Sequence, residues 1–328
     1  LADGPDFAEA VADNGYLWWY IDALSDDGTC GLTIIAFVGS VFSPYYAWAR
    51  KKNARTATGL ADPCEHCAIN VALYGGTHGR QGGINRWAMT ERAARHVDAT
   101  RERFQVGPSA LDWDGETLTV EIDEITVPWP RRLRGSVRVR PRALFTESHA
   151  LDQHSRHFWR PIAPLADVEV DFASPGLRWR GHAYVDSNIG AEPMEAAFTG
   201  WHWLRAATPD GAAVVVYDIA ERSQAVGATH QIARRFTTHG AVDLPNIPSQ
   251  RVPATGWRVA RQVASDTDAD SPAHVVKTLE DAPFYARSVV ATTVEQQPII
   301  AMHESLNLDR FSAAWVQHLL PFRMPRVR

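Results

Sequence analysis

Gly15-Tyr-Leu-Trp-Trp-Tyr-Ile-Asp-Ala-Leu-Ser25, followed by Asp26-Asp27-Gly28 and then Gly31-Leu-Thr-Ile-Ile-Ala-Phe-Val-Gly-Ser-Val-Phe42, reads as two strands and the turn between them. β-branched and aromatic residues crowd Gly15 to Ala23 and Gly31 to Phe42. Ser25-Asp26-Asp27-Gly28 carries the residues that bend a hairpin, with glycine free to take a positive φ. The same rhythm continues outward: His66 to Tyr74, Asn85 to Glu91, Phe104 to Val106, Ala110 to Trp113, Leu118 to Ile125, Arg134 to Val139, Phe158 to Ile162, Val168 to Phe172 and Leu177 to Asp186 all read as strands. A further series runs from Thr199 to Asn307. Helical patterns are few: Ala54 to Leu60, Ala273 to Leu279 and the stretch from Arg310 to Leu319. Many evenly spaced strands with few helices predict an all-β barrel or sandwich architecture. A soft boundary near residue 190 divides the chain into 1–190 and 191–328; one long closed sheet is the competing layout.

Composition narrows the partners. The chain has 328 residues, 45% of them hydrophobic, and a formal net charge of −5, which lacks the basic footprint of a nucleic-acid binder. Arg131, Arg132, Arg134, Arg138, Arg140 and Arg142 are locally basic, and their alternation from Arg134 onward fits the wet face of a strand, with anionic headgroups as a second reading. Cys30, Cys64 and Cys67 form no disulfide framework and point to a reducing compartment. Cys64-Glu-His-Cys67 has CxxC spacing but no second pair, so no metal site is expected from it. Gly75 to Gly83 lacks the Gly-Lys-Ser/Thr ending of a phosphate loop and reads as a hairpin loop. No apolar run reaches the 18 residues of a spanning helix, and the start at Leu1 leaves room for an upstream segment.

Twelve Trp, 12 Phe and 8 Tyr give unusual ring surface, explained either by sheet packing or by a large apolar cavity. Two short stretches then matter. In an extended strand, residues two apart share a face. His157 therefore shares one with Trp159, and Tyr184 shares one with Asp186. If both strands line one cavity, it holds a carboxyl, an imidazole and aromatic faces. Such a set suits protonation of an alkene: a carboxyl raised in pKa by an apolar cavity supplies the proton, aromatic faces stabilise the cation, and an imidazole holds water. Each residue also has an ordinary reading, Asp186 as a turn residue before Ser187-Asn188, His157 as a satisfied histidine, Trp159 and Tyr184 as core.

Longer motifs carry a resemblance. Gly15 to Gly28, Gly31 to Arg50, His66-Cys-Ala-Ile-Asn-Val-Ala-Leu-Tyr-Gly75, Arg86-Trp-Ala-Met-Thr-Glu-Arg92, Gly107-Pro-Ser109, Thr278 to Arg287, Met302-His-Glu-Ser-Leu306 and Leu319-Leu-Pro-Phe-Arg-Met324 resemble the acyclic carotenoid 1,2-hydratases, or hydroxyneurosporene synthases, over nearly the whole chain. The resemblance implies two lipocalin-like β domains. It implies cofactor-independent addition of water to the terminal C1–C2 double bond of acyclic carotenes such as neurosporene and lycopene, on the route to spheroidene or spirilloxanthin. It also places the family's functional residues at His157, Trp159, Tyr184 and Asp186, with Asp186 as proton donor. Cys64, the stretch from Lys51 to Gly59 and Gly76 to Gly83 look less typical and bear on loops. A terpenoid cyclase that traps the same cation internally, and a non-catalytic carotenoid carrier, are the alternatives. A nearly insoluble substrate implies peripheral contact with the cytoplasmic face of the inner or intracytoplasmic membrane, with Trp129 between two prolines as a candidate anchor.

Overall fold

The computed structural model describes residues 4–54, 59–75, 85–223, 229–268 and 271–327. The chain divides into two compact units, Leu1–Pro193 with His318–Arg328, and Met194–Gln317. The last residues therefore rejoin the first unit. There Arg326–Val327 pairs in parallel with Glu91–Arg92, and the Arg326 guanidinium bonds to Glu91 and to His66.

The opening stretch forms the hairpin its residues specify. Strands Tyr16–Ser25 and Cys30–Val38 pair antiparallel. The turn is held by the Asp27 carboxylate, which accepts from Ser25 Oγ at 2.6 Å and from the Thr29 N–H at 3.0 Å. These donors hold the Asp27 carboxyl down at about 2. Gly28 takes φ +68°, a conformation open to glycine at little cost.

Every residue of both strands is buried, so neither face is wet, and the missing polar alternation in Leu-Trp-Trp-Tyr-Ile has its cause. Odd-numbered Leu17, Trp19, Ile21 and Ala23 join Leu32, Ile34, Ala36 and Val38 in the apolar core of the unit. Even-numbered Tyr16, Trp18, Tyr20 and Asp22 face the other way.

Across the first unit's main sheet the order is Arg86–Met89, Ala68–Gly75, Cys30–Val38, Tyr16–Ser25, Leu177–Gly190, His157–Ser174, Arg132–Pro141, Leu118–Ile125, Ser109–Trp113, Arg103–Val106 and Val97–Ala99, with His149–Ala150 also pairing on His157–Ser174. The sheet curls. The Val127 N–H, just past Leu118–Ile125, donates to the Trp87 carbonyl on the strand at the far edge, at 3.0 Å. In the same region Arg92 makes a buried bidentate pair with Glu124, both bonds 2.9 Å, and Ser109 Oγ donates to the same carboxylate.

Two stretches read from sequence as separate strands, 158–162 and 168–172, are parts of one strand, His157–Ser174. Register shifts between Pro161 and Ala163 and between Ala163 and Ala166 accommodate Pro161 and Pro164, which have no N–H to give the ladder. Arg134, Arg138 and Arg140 occupy the exposed face of Arg132–Pro141 while Leu133, Val137 and Val139 are buried. Pairs such as Arg140–Glu169 at 3.7 Å sit in solvent and contribute little.

The helix readings change. A helix occupies Pro44–Asn53; of the helix expected over Ala54 to Leu60, residues 55–58 lie outside the described residues, while Ala54, Gly59 and Leu60 are not helical. Gly39 at φ +66° ends the preceding strand, so that strand does not reach Phe42. Ser43 Oγ caps the Tyr46 N–H at 3.1 Å, Pro44 follows it, and Arg50, Lys51 and Lys52 fill the last turn. Ala273 to Leu279 is no helix: His274–Asp281 is an edge strand paired with Tyr285–Val294, because Val275, Val276 and Thr278 suit a strand and tertiary pairing decides. Helices do occur at Leu308–Ser312 and Ala314–Leu319. The Gly76 to Gly83 loop lies outside the described residues.

The second unit is a seven-stranded antiparallel sheet in the order Gly240–Asp243, His230–Thr237, Ala213–Glu221, Phe198–Ala207, Gln297–Asn307, Tyr285–Val294, His274–Asp281, with a separate ladder of Ser249–Val252 and Arg261–Ala264. Leu204, Val214, Val216, Val290 and Ala301 anchor its core.

Removing Glu124 as Glu124→Ala leaves the Arg92 charge buried without its counter-charge, which costs about 3–5 kcal/mol. Urea unfolding followed by tryptophan fluorescence measures it; a loss under about 1 kcal/mol would mean that the pair behaves as a solvated one.

Candidate active site

Antiparallel pairing converts the even-numbered face of the first hairpin into rows of side chains that cross the sheet. One row is Pro161, Asp186, Tyr20, Ile35, Asn70 and Met89. The next is Tyr184, Asp22, Thr33, Ala72 and Trp87. On the other side lie Trp159, Asn188, Trp18 and Phe37, and beyond them His157, Gly190 and Tyr16. The unit's aliphatic core occupies the opposite face. This face instead combines carboxyl, amide, imidazole and aromatic groups, all removed from solvent: Asp22, His157, Trp159 and Tyr184 are fully buried and Asp186 is 3% exposed.

Three of the four residues singled out from sequence meet directly. Trp159 Nε1–H donates to Asp186 Oδ2 at 2.8 Å, and the Tyr184 hydroxyl donates to the same oxygen at 2.7 Å. Trp159 Nε1 also lies 3.0 Å from the Tyr184 hydroxyl, which closes a triangle. With two donors on Oδ2, the proton of a neutral Asp186 carboxyl resides on Oδ1. Tyr20 sits edge-on to Tyr184, ring centres 6.3 Å apart, so the carboxyl lies among rings.

His157 belongs to an adjoining pair. Its Nδ1 is 2.8 Å from the Tyr16 hydroxyl, and Nε2 is 3.7 Å from the Glu192 carboxylate. Its backbone N–H donates to Asp152 at 2.8 Å. A proton on Nε2 toward Glu192, with Tyr16 donating to Nδ1, satisfies both contacts. Burial pushes the His157 imidazole down from its ordinary value, against the opposite pull of the Asp152 and Glu192 carboxylates. Tyr16 in turn stacks on Trp18 at 4.9 Å. Gly190 makes the pair possible, since a Cβ there would lie 2.4 Å from the Tyr16 ring and 2.5 Å from His157 Nδ1.

Tyr16, Tyr20, Asp22 and Asn188 were not singled out as site residues. For the first three the signal is the alternation Tyr16, Trp18, Tyr20, Asp22, which places four non-aliphatic side chains on one face of a strand whose other face is wholly apolar; Asn188 continues the Tyr184, Asp186 alternation on its own strand. The CxxC pair has another role. Cys64 is exposed and Cys67 buried, burial pushes both thiols up, and Cys67 Sγ donates to the Cys64 carbonyl at 3.4 Å, as befits protonated structural thiols. The described residues contain no group of three or more His, Cys, Asp or Glu arranged to hold a metal ion.

A cleft of about 430 Å³ opens in the second unit over His202, Asp218, Gln231, Ser249, Gln262 and Asn307. None of the four sequence-derived positions lines it. Burial pushes His202 down to about 3 and raises Asp218, whose carboxyl accepts from Gln231 and Ser249.

Residues 34–328 match the family model described as carotenoid hydratase CrtC. The chain is 50% identical to the acyclic carotenoid 1,2-hydratase of Thiocapsa roseopersicina over 99% of its own length and 76% of the relative's. It is 47% identical to the enzyme of that name from Rubrivivax gelatinosus, over 98% and 76% of the two chains. Among solved structures, an AttH-type protein from Nitrosomonas europaea shares the fold at TM-score 0.59 and 13% identity, covering 89% of this chain and 92% of that one. The fold is all-β and lipocalin-like.

Replacing Gly190 by Ala forces Tyr16 and His157 apart. Nitrogen-15 NMR of the imidazole checks this: in the parent protein the ring stays neutral as pH falls past about 6.5, the ordinary histidine value, whereas Gly190→Ala moves its titration toward that value. Because the unfolded chain takes up the proton that folded His157 refuses, stability declines as pH falls through the same window.

Proposed function

The chain belongs to the carotenoid hydratase CrtC family, and on that premise we propose that it adds water to the terminal C1–C2 double bond of an acyclic carotene by a protonation-first route in which Asp186 is the acid. The observation that carries the reading is the buried Asp186 carboxyl, gripped on one oxygen by Trp159 and Tyr184.

An isolated trisubstituted alkene is a very weak base, so the first step needs an acid held close and dry. Asp186 Oδ1–H delivers its proton to C2, the C–H bond forms from the π pair, and the tertiary carbon C1 becomes cationic. The carboxylate left behind is stabilised as it forms by the two donors already placed on Oδ2, with no reorganisation at the moment of reaction. In this reading the aromatic groups around the carboxyl, Tyr20 among them, stabilise the developing positive charge; a desolvated cation over an aromatic face gains about 2 kcal/mol. Water then adds to C1. The proton it sheds passes to the Tyr16 oxygen as that hydroxyl hands its own to neutral His157 Nδ1, and return of one proton to Asp186 closes the cycle. The product is an open-chain 1-hydroxy tertiary alcohol. Every step uses a side chain of this sequence and water.

Among the described residues no helix is long and apolar enough to cross a membrane. The carotene partitions into lipid, so in this reading the protein collects it by peripheral contact with the cytoplasmic face of the inner or intracytoplasmic membrane.

Incubating the purified protein with neurosporene or lycopene in detergent and heavy water gives the 1-hydroxy product with one deuterium at C2. A product with no label at C2 rules out protonation first, and a cyclic product replaces water capture by internal trapping. Asp186→Asn keeps the shape of the triangle and removes the acid, so turnover falls about a thousandfold or more. Wild-type rates in that variant would move the acid elsewhere.

A further inference from the structure

The face that carries Asp186 leads to an edge of the first unit where apolar rings stand in solvent. The row Tyr184, Asp22, Thr33, Ala72, Trp87 ends at the edge strand Arg86–Met89. Four strand spacings separate its ends, about 19 Å. Arg323 lies over the Trp87 ring at 4.4 Å, and its neighbour Phe322 is 80% exposed. The Trp87 carbonyl accepts from the Val127 N–H, the start of a tight turn in which Thr126 Oγ1 donates to the Trp129 carbonyl and accepts from the Arg131 N–H. That turn presents Trp129, 77% exposed, at its tip. On the other flank His318 meets the exposed Trp48 ring of the Pro44–Asn53 helix, centroids 6.5 Å apart, and Leu319 beside it is exposed.

Cations border these rings. Lys51 and Lys52 extend from the last turn of the helix that carries Trp48, Arg131 follows Trp129, and Arg323 adjoins Phe322. Lys51, Lys52 and Arg131 are exposed. On a chain whose net charge is −5, these cations sit beside large rings that water does not favour. Rings that enter the headgroup level, with lysine and arginine heads beside them, are the chemistry of an interfacial anchor.

We propose that this edge, with Trp48, Phe322 and Trp129 as the inserted rings and Lys51, Lys52 and Arg131 as the contacts to anionic headgroups, is the surface by which the protein docks on a lipid bilayer. The inference rests on the hydratase reading in one respect, that a lipid-dissolved substrate has to be collected. It adds where collection happens, at the edge on which the strand row from Tyr184 ends.

Sedimentation of the purified chain with sucrose-loaded vesicles tests it, using phosphatidylcholine alone and phosphatidylcholine mixed with phosphatidylglycerol. The parent protein is expected to pellet with the mixed vesicles and more weakly with the neutral ones. Phe322→Ser combined with Trp129→Ser lowers partition about tenfold on both. Lys51→Gln combined with Lys52→Gln, which removes both charges at exposed positions without placing anions at the helix C-terminus, lowers it only on the anionic vesicles. Hydration of carotene supplied in detergent stays at the parent rate in both variants, which shows them folded. Parent protein that ignores both vesicle types, or variants that sediment as the parent does, overturns the proposal. Failure of the detergent assay in the parent protein would instead count against the hydratase mechanism and leave the vesicle result standing.

Discussion

A carboxyl group placed where water cannot reach it is costly unless its oxygens are met by donors. Asp186 meets that condition through Trp159 and Tyr184, and much of the first unit follows from it. The two donors come from different strands, so the strands must pair in one register. A shift by a single residue would turn Asp186 or Trp159 into the aliphatic core. The prolines at 161 and 164 complicate this pairing, and the bulges beside them bring the strand back into step after Pro161 has taken its place opposite Asp186.

Putting polar chemistry on one face of a sheet displaces the core to the other. Leu17, Trp19, Ile21 and Ala23 with Leu32, Ile34, Ala36 and Val38 make one side wholly apolar, which frees Tyr16, Trp18, Tyr20 and Asp22 from the task of packing it. The second unit divides its chemistry differently. His202, Asp218, Gln231 and Ser249 line an open cleft, while Leu204, Val214 and Val216 form its core. Buried histidines there remain neutral, His303 held down to about 4 by burial. The mechanism proposed for the first unit draws on none of these groups.

Gly190 shows how small a feature can govern such a site. Tyr16 and His157 lie on strands that flank the strand of Gly190, and their bond passes over its α carbon. Any side chain would occupy that space. Asp22 is a second consequence of the packing: fully buried, it pairs across the ladder with Tyr184 and shares its face with Asp186.

Local periodicity was enough to establish a β-rich chain, the hairpin around Asp27 and Gly28, and the pairing of His157 with Trp159 and of Tyr184 with Asp186 on shared strand faces, because a strand repeats every two residues wherever it lies. The long motifs were enough to assign the family. Other features depended on contacts between residues far apart in the chain, to which no short window is sensitive. The pairing of Pro161 with Asp186, the arrival of Tyr16 beside His157 and the choice of strand over helix at His274–Asp281 arise from ladder register and from neighbouring strands. The return of Arg326 to Glu91 depends on a partner 235 residues away. Side-chain direction is written in the sequence, but which directions converge is set by long-range pairing, whose hydrogen bonds form only when the whole sheet is assembled.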